Sequence, residues 1–189
     1  ILVAEISKLC DNKGIEASVS SRLTKTLQSL NNPAAHPRYN LCVFDMTKGE
    51  PTMYAIIDVG SNTVRMNIYK LENGQFSLVM GKKESVGLAS YVKNGQMLPE
   101  GVNRACEVLT EFRTILQDLK ITNYHVFATA ALRNAANSRA AVEEIMERTG
   151  IKVEVISGET EAELDFVGAS HAVEVTEGLL IDIGGASTE

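Results

Sequence analysis

From Tyr54 onward, apolar and polar positions mark out one element after another. Tyr54–Val59 is an apolar run that ends in Asp58-Val59-Gly60, the pattern of a buried strand. Thr63–Leu71 alternates in part, through Val64, Met66 and Ile68, as a half-buried strand does. Glu72-Asn73-Gly74 is a hairpin-turn signal, and Phe76–Val86 reads as a third strand, so short turns predict an antiparallel meander. Behind Pro99, the positions Val102, Ala105, Leu109, Phe112, Leu116 and Leu119 step by threes and fours, which predicts a helix with proline in its first turn. Tyr124–Thr129 is the next strand. Asn137-Ser138 is a cap signal before Ala141, Val142, Ile145 and Met146, and Gly150 ends that helix. Ile151–Ile156 reads as a strand, Ser157 as the cap of a helix from about Glu159 to His171, and Gly178–Ile183 as a last strand. The order βββ-α-β-α-β-α-β predicts a mixed sheet with helices on both faces.

The first 52 residues have a different character. Leu2, Ile6 and Leu9 have helical spacing up to a break at Asn12-Lys13-Gly14. Leu23, Leu27 and Leu30 repeat it up to Asn31-Asn32-Pro33. Tyr39–Met46 has the look of a short strand, and Thr47–Pro51 of a turn or linker. Six basic and five acidic residues give this segment a charge of +1, against −7 for the remainder. The expected division is an upstream appendage over 1–52 and an α/β domain over 53–189, opening at Met53. The chain begins at Ile1 and stops just after Gly184-Gly185-Ala186-Ser187-Thr188. Since such a loop normally leads into another element, a larger protein is expected to continue beyond Glu189.

Composition narrows the function classes. A hydrophobic fraction of 44% supports a packed core, and a net charge of −6 argues against binding nucleic acid through general positive charge. No apolar run approaches the roughly 18 residues of a membrane span, and no secretory leader pattern opens the chain. Neither nucleic acid nor membrane is therefore an expected partner. Cys10, Cys42 and Cys106 are odd in number, far apart and without metal-ligand spacing. They read as reduced thiols in a cytoplasmic protein.

The most informative feature is an internal near-repeat. Ile57-Asp58-Val59-Gly60-Ser61-Asn62-Thr63 resembles Ile181-Asp182-Ile183-Gly184-Gly185-Ala186-Ser187-Thr188. Each places Asp in an apolar run, then Gly, then small hydroxyl-bearing residues. Glycine lets backbone N–H groups approach an anion, the hydroxyls add donors, and a strand-end Asp can hold Mg²⁺. Two such loops can grip a phosphate chain from two sides; the plainer alternative is a pair of tight hairpin turns. Arg133, at the end of Thr129-Ala130-Ala131-Leu132-Arg133, follows a strand, where ligands of α/β sheets collect. A guanidinium there suits phosphate, and a surface salt bridge is its alternative. In Ser157-Gly158-Glu159-Thr160-Glu161-Ala162-Glu163, acidic residues of a first helical turn simply complement the helix dipole. Glu161 stands apart only if it faces the cleft.

These motifs carry a resemblance. Residues 54–189 resemble the N-terminal domain of the Ppx/GppA family of exopolyphosphatases and guanosine pentaphosphate phosphohydrolases. The matching stretches are Ile57–Thr63, Ala131-Leu132-Arg133 with Asn134–Asn137, Val155–Gly158 with Glu161-Ala162, and Ile181–Gly185 with Ser187-Thr188-Glu189. Residues 1–52 have no counterpart in it. The resemblance implies the ribonuclease-H-like half of the actin-like phosphotransferase fold, which is also the fold that the element order suggests. It further implies Mg²⁺ dependence and hydrolysis of terminal phosphates of polyphosphate or guanosine pentaphosphate. By the same likeness, Glu161 is the catalytic glutamate that aims or deprotonates water. Arg133 and the loops Gly60-Ser61-Asn62-Thr63 and Gly184-Gly185-Ala186-Ser187 bind phosphate, and Asp58, Asp182 and Glu189 serve the metal. The family's Gly-Gly-Gly-Ser loop has Ala186 at its third position here. A left-handed backbone there would cost Ala roughly 1 kcal/mol. Thr160 stands where relatives often carry another Glu.

The expected reaction is in-line attack of water on a terminal phosphoryl group. In this fold the cleft lies between two domains, so a chain ending at Glu189 is expected to bind weakly and turn over little without the rest of its own sequence. A homodimer is a further expectation. The rival readings are an actin-like-fold kinase and a sensor that binds guanosine penta- or tetraphosphate, or polyphosphate, without hydrolysing it.

Overall fold

The structure, a computed structural model, describes residues 52–72, 75–172 and 178–189. The elements expected within residues 1–51 and the turn residues Asn73 and Gly74 lie outside these, as does most of the stretch that leads from the last helix to Gly178. In chain order the elements are β1 (Thr52–Val59), β2 (Thr63–Glu72), β3 (Gln75–Ser85), a 3-10 turn (Leu88–Tyr91), β4 (Val92–Lys93), β5 (Gln96–Met97), α1 (Pro99–Asp118), β6 (Tyr124–Ala128), α2 (Ala130–Arg133), α3 (Ser138–Thr149), β7 (Glu154–Val155) and α4 (Gly158–Ala172).

Five strands form one sheet in the order β3-β2-β1-β6-β7. The β1–β2 and β2–β3 pairs are antiparallel, while β1–β6 and β6–β7 are parallel. This order and polarity are those of the ribonuclease-H-like half of the actin-like fold. They follow from connection length, since tight turns allow only antiparallel neighbours and each parallel step needs a helical crossover.

The two-residue period of the strands sorts side chains between the sheet faces. Ala55, Ile57 and Val59 of β1, with Val126 and Ala128 of β6, join the main core under α1 and α3. That core takes Val102, Leu109, Phe112 and Leu116 from α1 and Ala141 and Ile145 from α3. The opposite parity, Ile56 and Phe127, packs with Ile156 and Leu164 of α4 in a second, smaller cluster. Helices therefore cover both faces, as the element order predicts. Asp58 shares its parity with Ile56, which puts its carboxylate on the α4 side of the sheet.

Local signals explain most of the boundaries. Pro99 occupies the first turn of α1, and Gly150 closes α3 in the left-handed region at φ 70°. The Ser157 hydroxyl accepts the Thr160 N–H at 3.1 Å, so Ser157 caps α4. Asn137 precedes α3 but does not cap it with its side chain. Its amide instead grips β5, accepting the Met97 N–H at 2.8 Å and donating to the Met97 carbonyl at 2.9 Å.

One expected strand is absent. Residues 178–183 do not join the sheet, and only an isolated bridge between Ile183 and Thr188 forms there. Leu179, Leu180, Ile181 and Ile183 are 43–85% exposed. An apolar run becomes a sheet strand only where a neighbouring ladder takes up its N–H and C=O groups, and none of the described strands lies alongside it.

Candidate active site

The two repeated motifs fold into the same turn. The Gly60 N–H donates to the Thr63 carbonyl at 3.0 Å, and the Gly184 N–H donates to the Ser187 carbonyl at 3.0 Å. Val59 pairs with Val64 across the first turn, and Ile183 with Thr188 across the second. In each, the Asp sits two residues ahead of the turn's first Gly. The second is pinned further by reciprocal backbone bonds between Asp182 and Glu189, at 2.9 and 3.0 Å. The first is anchored from behind, where the Ala89 N–H reaches the Ser61 carbonyl and the Val86 and Gly87 N–H groups reach that of Asn62, all at 2.9 Å. Both motifs are thus tight hairpin turns, the plainer of the two alternatives that the near-repeat offered.

The turns also meet. A Cβ added at Gly185 would lie 2.6 Å from Asn62 Nδ2 and 2.8 Å from Asn62 Cγ. A side chain at Gly185 would have to push the exposed Asn62 side chain aside, so glycine lets the second turn lie this close to the first without a shift. Ala186 is not at positive φ, since Asn94 and Lys120 are the only non-glycine residues described there. The left-handed cost that its place in the loop raised therefore does not arise.

Arg133 ends α2, a single turn whose Thr129 carbonyl accepts the Arg133 N–H at 2.9 Å. That turn aims the guanidinium between two carboxylates: Nη1 donates to Glu161 Oε2 at 2.5 Å and Nη2 to Glu189 Oε1 at 2.9 Å. All three side chains are largely buried, at 17% exposure for Arg133, 16% for Glu161 and 6% for Glu189. The Ser187 hydroxyl donates to the other oxygen of Glu189 at 3.1 Å. The salt bridge weighed for Arg133 therefore exists, but inside the site. Gly158, at the start of α4, lies close by: a Cβ there would be 3.9 Å from Arg133 Nη2.

Glu161, Asp182 and Glu189 each present a carboxylate oxygen within 4.8 Å of the others. Asp58 is outside that trio, at the end of β1. The sequence reading missed Asp165, one helical turn beyond Glu161 and 4% exposed. Its Oδ2 has no hydrogen-bond partner. An i, i+4 step from Glu161 was the available signal.

Burial dominates the electrostatics. It pushes the Asp58 carboxyl up, with Asp182 adding to the rise and Arg65 opposing it. It pushes Glu161 up as well, where the Arg133 hydrogen bond pulls the other way and the charges of Glu189 and Asp58 add to the rise. Asp165 goes up to about 7, through burial and the nearby charges of Asp182 and Glu161. Burial alone would lower Arg133, but Glu161 and Glu189 outweigh it and hold the guanidinium more firmly charged. Several carboxylates around one arginine are short of positive charge. Their all-oxygen donor set suits a hard divalent cation such as Mg²⁺. The unpartnered Asp165 oxygen points to the same shortage.

Among the described residues, no helix is long and apolar enough to cross a membrane. Residues 67–189 match the Ppx/GppA phosphatase family. A guanosine-5'-triphosphate,3'-diphosphate pyrophosphatase of Pseudoalteromonas translucida is 40% identical over 147 residues, which cover 75% of this chain and 29% of that protein. Its namesake from Aliivibrio fischeri is 36% identical over 145 residues, or 74% and 28%. Among solved structures, an exopolyphosphatase from Cytophaga hutchinsonii aligns with TM-score 0.68 and 32% identity, over 72% of this chain and 45% of that one. A Ppx/GppA family member from Aquifex aeolicus aligns with TM-score 0.65 and 27% identity, over 74% and 46%. This chain spans less than a third of the length of these curated relatives. A family match that runs from β2 to Glu189, with relatives at this level of identity, settles the kinship: the chain belongs to the Ppx/GppA phosphatase family.

Proposed function

We propose that this chain supplies the phosphate-handling half of a Mg²⁺-dependent phosphoric anhydride hydrolase. Its substrates are inorganic polyphosphate or guanosine pentaphosphate, and it removes their terminal phosphate. The observation that carries this reading is Arg133, clasped by Glu161 and Glu189 beside two matched turns that touch at Asn62 and Gly185. The relatives' names, a pyrophosphatase and an exopolyphosphatase, support the same chemistry.

The backbone amides and the hydroxyls of Ser61, Thr63 and Ser187 receive the phosphoryl oxygens. A phosphate entering there competes with Glu161 and Glu189 for Arg133, and the fork geometry of the guanidinium suits either partner. Glu161, freed from Arg133, holds a water in line with the terminal phosphorus. The water oxygen bonds to phosphorus, the bridging P–O bond breaks, its electrons leave with the shortened chain, and the water proton passes to Glu161. Asp182 and Glu189, with Asp58 nearby, would hold Mg²⁺, which supplies charge neutralisation for the phosphoryl oxygens.

The test is phosphate release from polyphosphate and from guanosine pentaphosphate, compared with ATP plus an acceptor. It is run with this chain and with the longest protein that carries it. Release of orthophosphate from either polyanhydride, without an acceptor, is the expected result. Transfer to an acceptor, or tight binding with no release, would overturn the proposal.

A further inference from the structure

The mechanism above makes no use of Asp165. This residue is 4% exposed, yet its Oδ2 meets no hydrogen-bond donor. Among the described residues, those whose charges act on it, Asp182 and Glu161, are both acidic, and Asp182 also shares a hydrogen bond with it. A buried carboxyl beside two others, with one oxygen unpartnered, is costly unless a proton or a cation fills the gap. Asp165 also lines a pocket with Ala162, Phe166, Asp182 and Glu189. Being on α4, it belongs to a different element from the turn that carries Asp182 and Glu189, and it stands outside the Glu161–Asp182–Glu189 trio.

We propose that Asp165 is a further carboxylate of the cation site, which a divalent ion draws into the set formed by Asp182 and Glu189. This rests on the reading that those two residues hold a divalent cation. It adds a second acidic residue of the helix that carries Glu161, so that the bound ion ties α4 more firmly to the second turn. Asp165 does not touch substrate in this scheme; it acts through the ion and is a positioning residue.

The experiment titrates the full chain with Mg²⁺ alone, by calorimetry and by the Mg²⁺-induced rise in melting temperature. Wild type is compared with Asp165→Asn and with Glu163→Gln, a solvent-facing control on the same helix. Circular dichroism checks that each variant is folded. Asparagine keeps the size of aspartate and a donor toward Asp182, so it replaces a shared proton but not a charged ligand. We expect Asp165→Asn to weaken Mg²⁺ binding at least tenfold and to shrink the melting shift, with Glu163→Gln within twofold of wild type. Equal affinity in Asp165→Asn would overturn the proposal, leave the Asp182–Glu189 site standing, and mark Asp165 as a proton-sharing partner of Asp182. No binding to wild type would overturn both.

Discussion

Glu159, Glu161 and Glu163 stand at alternate positions of the same helical start, yet only Glu161 is turned inward onto Arg133. The difference predicts a sharp contrast between substitutions. Glu161→Gln keeps the size and hydrogen-bonding reach but removes the proton acceptor. Turnover in the active protein should fall by roughly 10²–10⁴-fold, with substrate affinity equal or slightly better because one charge facing a polyanion is gone. Glu163→Gln should leave both unchanged. The pH profile gives a second check. Burial raises the Glu161 carboxyl, and its ionised form is the one that accepts a proton. Activity should therefore be full above that raised value and fall as pH drops through it, and this acid limb should be missing in Glu161→Gln. Steady-state kinetics across pH decide both points. Glu161 was legible because a motif surrounds it. Asp165 was not, because Ala162, Leu164, Phe166 and Val167 are spread around α4 and no apolar stripe marks which side is buried.

At the scale of elements, sequence signals worked where the chain itself satisfies them and failed where a distant partner does. Pro99 and Gly150 act through their own backbone, and the helix ends fall where those residues stand. Asn137 reads as a cap in sequence, but its amide is spent on Met97, 40 residues away. The two roles make different demands. If Asn137 ties α3 to β5, Asn137→Ala should lower unfolding free energy by about 1–2 kcal/mol, and Asn137→Ser, a good cap, should not restore it. Urea denaturation of the three proteins distinguishes the cases, and full rescue by serine would return Asn137 to the capping role. The run 178–183 failed for the same reason in reverse. Its apolar composition matches a strand, but pairing depends on which other segment is near, and composition carries no such information.

For the molecule as a whole, topology was the most readable level. Turn lengths alone fix which strands run antiparallel, and the element order predicted a mixed sheet with helices on both faces, while the strand order came only with the structure. What the near-repeat could not reveal is that its two copies press against each other, because contact between residues 62 and 185 is a property of the folded chain. The clearance at that point is set by a missing methyl group. Gly185→Ala would bring a Cβ to 2.6 Å from Asn62 Nδ2, the end of an exposed side chain that can swing aside. Folding stability should change by less than about 0.5 kcal/mol, while polyphosphate affinity should drop, and Asn62→Gly in the same chain should recover it. Calorimetry on the single and double variants reads the coupling, and purely additive losses would rule it out. Gly185 is thus a gauge block of zero thickness: the spacing between the two turns is cut to size by the narrowest residue the genetic code offers, and evolution can widen or offset it one carbon at a time without redrawing the sheet behind it.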